Sequence, residues 1–82
     1  MEKYKNVHGN SAVRAYQIGA DFISVRFDDL KVYTYTYRSA GSHSIETMKK
    51  LALQGFGLNT FINKFVRKKY ASKSLGVSAL DL

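Results

Sequence analysis

Thr60, Lys64, Arg67 and Lys68 recur at i, i+4, i+7 and i+8, which sets three cations and a hydroxyl along one face of a helix. Leu58, Phe61, Ile62 and Phe65 fall on the opposite face, so one side packs while the other presents donors, with Asn63 flanking them. No acid stands four residues from these bases to neutralise them, as a surface helix laced with ion pairs would have. Such a stripe suits phosphate oxygens; the plainer alternative is a solvated face whose cations complement a helix C-terminus. Tyr33, Tyr35 and Tyr37 alternate along a strand and share one face. Rings on a sheet can stack unpaired bases, or they can be core with hydroxyls at the boundary.

Other chemistry is thin. His8 and His43 are the only imidazoles and there is no cysteine, so thiolate zinc sites, disulfides and thiol nucleophiles are excluded. Ser42-His43-Ser44 has no nucleophile elbow around it. Asp28 and Asp29 read as turn residues, not as an acid/base pair. Gly55-Phe56-Gly57 reads as a tight turn between helices, lacking the spacing of a phosphate loop. These residues predict no enzyme and no cofactor.

The charge is segregated. The chain of 82 residues carries +7 overall. Residues 1–46 hold six bases and five acids, whereas residues 47–82 hold seven bases and one acid, Asp81. A field of this kind recruits polyanions. Lys49, Lys50 and Lys73 join the stripe as outer contacts in this reading. A start rich in polar residues, Met1-Glu2-Lys3-Tyr4-Lys5, predicts no secretory signal, and no apolar run approaches the roughly 20 residues of a membrane span. The expectation is a cytoplasmic domain with no membrane partner.

The elements that must position these residues follow from their periods. Apolar residues form 45% of the chain and charged ones 23%, ordinary globular proportions that argue against disorder. Residues 1–10 show no sustained period and read as a tail. Val13–Ile18, Phe22–Phe27 and Val32–Tyr37 read as strands, the second alternating Ile23, Val25 and Phe27 against Ser24 and Arg26. Short connections make them an antiparallel meander. After a loop over 38–42, Ile45, Met48, Leu51 and Ala52 define a helix, capped by Ser42 or Ser44 and stopped at Gly55; the Leu58–Phe65 helix follows. This is an α+β chain, β-β-β-α-α, with both helices on one sheet face, a single domain over 11–70 and a tail over 71–82 that either docks its apolar residues on the core or stays mobile. Phe27, Phe61, Ile62 and Phe65 should be deeply buried, with Phe65→Ala costing about 3–5 kcal/mol.

The direction of the tyrosines rests on loop parity. Two or four residues after Phe27 would turn Tyr33 and Tyr35 away from Ile23 and Val25. Three would bury them together, and that form wants a left-handed residue where the chain has Leu30.

Ile23-x-Val25-x-Phe27, Tyr33-Thr34-Tyr35, Gly55-x-Gly57-Leu58-Asn59-x-Phe61-Ile62 and a basic helix ending at Tyr70 resemble the KTSC domain family. That family is named for a module at the C-terminus of some lysyl-tRNA synthetases, and it also occurs as stand-alone bacterial proteins. Such domains often carry glycine where this chain has Leu30. The resemblance implies RNA binding and supplies no catalytic residue. The combined expectation is a nucleic-acid-binding module, RNA favoured over DNA, using Lys64, Arg67, Lys68 and the ring faces of Tyr33 and Tyr35. The competing expectation is a protein-interaction module, meeting a second copy or another protein through a sheet edge or through the apolar tail residues Leu75, Val77, Leu80 and Leu82.

Overall fold

The computed structural model describes residues 1–75. It holds a five-stranded antiparallel sheet in sequential order, β1 (Glu2–Lys3), β2 (Val13–Ile18), β3 (Phe22–Phe27), β4 (Lys31–Thr36) and β5 (Ser72–Leu75). The central three strands are the expected meander. The outer two correct the sequence reading, because they lie in the segments read as tails. Glu2 pairs with Tyr16, and Lys31 to Thr34 pair with Leu75 to Ser72. Neither outer strand has an apolar alternation of its own, and each forms by adding to a neighbour that is already ordered. Of the tail residues assigned to docking, Val77, Leu80 and Leu82 lie outside the described residues.

Helices follow β4. Thr36 and Ser39 close a reciprocal capping box over α1 (Tyr37–Ala40), where a loop was expected. The longer α2 (Ser42–Gln54) starts at Gly41 without a side-chain cap, so Ser42 and Ser44 do not cap it. It buries Ile45, Met48 and Ala52, the expected face, and stops at left-handed Gly55. The next helix, α3 (Leu58–Phe61), runs straight into a π turn over Ile62–Val66.

That turn corrects the expected core. A π turn takes more residues per revolution than an α-helix, so the inward row becomes Leu58, Ile62 and Val66, four residues apart, all buried. Phe65 is rotated off the core and is 59% exposed. Phe61 and Phe27 are partly buried against the core, not deep in it.

The β3–β4 loop settles the parity. Asp28, Asp29 and Leu30 form a three-residue connection, with Leu30 at φ 68 and its amide donating to the Phe27 carbonyl at 3.0 Å. Tyr35 therefore pairs with Ile23 and Tyr33 with Val25, and Tyr35 is core at 1% exposure. Tyr37 leaves the strand to open α1. The core joins these residues to Tyr4, Val13 and Tyr16 and to the buried row of α2. Facing away from that core, Gln17, Ser24, Thr34 and Ser72 form a polar cross-strand row, with Ser24 and Thr34 hydroxyls 2.7 Å apart.

Candidate nucleic-acid interface

Between the β3–β4 hairpin and the π turn lies a cleft of about 390 Å³. Tyr33, Tyr35 and Phe27 reach it from the sheet because the three-residue loop turns them toward the helices. Asn59 and Asn63, four residues apart, reach it from α3 and the π turn. The chain then leaves the helix in a turn that carries Arg67 and Lys68 to the rim. The Lys69 amide donates to the Val66 carbonyl at 2.8 Å and the Ala71 amide to the Thr34 carbonyl at 2.7 Å. These two bonds lay Tyr70 across the sheet tyrosines.

The rings pack edge to face. Tyr33 lies 5.5 Å from Phe27 and 5.0 Å from Tyr70, and Tyr35 lies 6.5 Å from Tyr70, all near perpendicular. This geometry sets the positive edge of one ring against the negative face of the next. Tyr35 is sealed beneath, so it supports the cleft and offers no ring face for stacking. Burial, reinforced by Tyr33 and Tyr70, pushes its phenol well above the usual tyrosine range. Tyr33 is half-buried and Tyr70 exposed, and these two provide the accessible ring surface.

The cations divide. Arg67 and Lys68 line the cleft, and Lys73, directly across from Tyr33 on β5, holds its ammonium 5.6 Å from that ring's centroid. Lys64 is exposed on the π turn but does not line the cleft, whereas Arg67 and Lys68 in the turn beyond it do, so the expected continuous stripe is broken. Lys50 is exposed on α2. Lys49 is committed elsewhere: its ammonium donates to the Ala20 carbonyl at 2.9 Å and pairs with Glu46 at 2.8 Å. Glu46 also accepts from the Tyr37 hydroxyl at 2.6 Å, and Lys49, then Tyr37, hold its carboxyl below the usual range. That cluster sits by the β2–β3 turn, at the far end of β3 from Asp28.

The cleft also gathers residues that the sequence reading did not assign to binding, together with Asn63, which it set at the flank of the stripe. Asp28 and Asp29 stand at its mouth, and Tyr70, Phe27, Asn59 and Asn63 complete its wall. The signal for Tyr70 was present in the aromatic that ends the basic run. For the aspartates there was none beyond their turn chemistry. Among the described residues, no three His, Cys, Asp or Glu side chains converge as a metal site. No protein-family model, curated protein or solved structure matches the chain.

Proposed function

We propose that the chain is a small non-enzymatic nucleic-acid-binding module, RNA favoured over DNA, which takes an unpaired stretch of strand at the Tyr33–Tyr70 cleft. The observation that carries this reading is the convergence of Tyr33, Arg67 and Lys68 on one cleft, with Lys73 beside Tyr33. Aromatic faces accept bases of any sequence, while cations at the rim hold the phosphates on either side. Unpaired RNA is the form whose bases are most readily splayed onto such rings. The net charge of +7 supplies the long-range attraction. The KTSC resemblance points the same way, and no cofactor enters the proposal. The test is a binding series with single- and double-stranded RNA and DNA of equal length over a range of salt. Single-stranded RNA should bind best, with log K falling linearly in log salt. Equal, weak binding of all four ligands at low salt would leave only a diffuse basic surface.

One observation favours a second reading. Among the described residues β5 is an edge strand, exposed throughout, and Leu75 on it is 72% exposed. An edge of this kind can pair with another chain, so a homodimer or a protein partner would meet it there. Sedimentation across a hundredfold range of protein concentration, without nucleic acid, separates that reading from the first.

A further inference from the structure

The chain has six acids against thirteen bases, yet two of the six stand at the mouth of the cleft beside Arg67 and Lys68. Carboxylates there repel phosphate and weaken any site that reads the backbone alone. Asp28 lies 4.0 Å from Arg14 and Asp29 3.7 Å from Lys31, and their side chains remain 55% and 52% exposed. Asp29 Oδ1 also accepts from the Lys31 amide at 3.0 Å, so Asp28 is the freer of the two carboxylates. At about 390 Å³ the cleft is at the lower end of the roughly 300–1,000 Å³ of ligand sites, room for one nucleotide.

We propose that the cleft selects a single unstacked guanine base, with its Watson–Crick edge turned to the carboxylates of Asp28 and Asp29. The inference rests on the nucleic-acid reading of the same cleft and adds the base. A carboxylate has two acceptor oxygens and no donor. Guanine alone among the four bases sets two N–H donors side by side on that edge, N1–H and the N2 amine, and so meets a carboxylate in a two-point contact. Cytosine and adenine offer one amine next to an acceptor nitrogen. Uracil offers one N–H between two carbonyls, which a carboxylate repels. Ring surface on Tyr33 and Tyr70 stacks the base, Asn59 and Asn63 provide amides for its remaining edge, and Arg67 and Lys68 hold the flanking phosphate. The same chemistry would accept guanine within a strand or as a free nucleotide.

The experiment uses the full chain and uridine heptamers whose central position is uridine, guanosine, inosine, cytidine or adenosine. Central guanosine should bind at least about fivefold tighter than uridine, the lower limit for a good two-point contact. Inosine lacks the N2 amine and should lose most of that gain without any change to the protein. Asp28→Asn with Asp29→Asn keeps the turn's side-chain acceptors, and should abolish the preference while leaving the all-uridine heptamer bound as well or better. Binding of all five heptamers within twofold overturns the guanine assignment and leaves the RNA proposal standing. Binding of none at low salt overturns the RNA proposal. Guanosine monophosphate, titrated against cytidine monophosphate by NMR, then decides the base: selective shifts at Tyr33 and Tyr70 assign the cleft to a free guanine nucleotide, and their absence removes the guanine assignment as well.

Discussion

Leu30 holds the orientation of the aromatic cleft. Its left-handed backbone, φ 68, is a conformation in which a Cβ crowds the adjoining carbonyl, at a cost of about 1–2 kcal/mol. The strain is accepted because the three-residue turn it closes sets Tyr35 beneath the helices, where its burial outweighs the local cost. Leu30→Gly should relieve the crowding and raise the stability measured by urea unfolding, by about 0.5–1 kcal/mol after the added chain entropy of glycine. A lowered midpoint would mean that the Leu30 side chain contributes packing despite its exposure. This one position also limits what the sequence could tell. Alternation showed that Tyr33 and Tyr35 share a face, but which face depended on a residue whose type disfavours the conformation it adopts. Phe65 was misread for a different reason, since a 3.6-residue period is blind to a π turn. Phe65→Ala should cost less than about 1 kcal/mol, whereas Ile62→Ala should cost about 2–5 kcal/mol. Chemical denaturation of the two variants side by side checks the assignment.

At the scale of elements, what could be read from sequence was what carried its own period. β2 and β3 begin and end where alternation placed them, and α2 buries the face that its apolar spacing defined. β1 and β5 were not legible because two exposed residues, or Ser-Lys-Ser-Leu, state no period and gain order only from the strand alongside. The N-terminal segment is nevertheless anchored. Tyr4 is 2% exposed, and its hydroxyl accepts from the Leu58 amide at 3.4 Å, at the first turn of α3. Helix starts leave such amides without partners, and Tyr4 occupies one of them across the whole width of the core. Tyr4→Phe keeps the ring and strands that amide, so it should cost about 1–3 kcal/mol. An unchanged midpoint would show that the bond contributes nothing and that the ring alone ties β1 down. The π turn between α3 and the rim has the complementary effect, rotating Asn63 toward the cleft while turning Phe65 away. Such widened turns are frequent at functional sites.

For the molecule as a whole, two electrostatic tests follow. Tyr35 ionises in the unfolded chain near pH 10, but burial holds it neutral in the fold to higher pH. Its contribution is complete below about pH 10 and is lost as pH rises toward its folded value, so alkaline unfolding should be steep there and flatter in Tyr35→Phe. A Tyr35→Phe curve parallel to that of the parent would place the alkaline sensitivity in other groups. The second test concerns the distribution of charge. The excess of bases after residue 46 was legible from the sequence, but not which of them were free, since that depends on partners brought together by the fold. Lys49 is held by Glu46 and Ala20 at one end of β3, whereas Arg67 and Lys68 stand on the cleft rim at the other. Counterions are released only by cations that reach phosphate. Replacing Arg67 and Lys68 by Ala should therefore flatten the slope of log K against log salt by about 1.4 on single-stranded RNA, about 0.7 for each contact. Both positions are exposed, so stability should change by no more than about 0.5 kcal/mol for each. Lys49→Met should do the reverse, lowering stability through the loss of its two partners while leaving the salt slope as it was. If instead Lys49→Met and the double variant flatten the slope equally, per cation removed, the strand is held by net charge and not by the cleft.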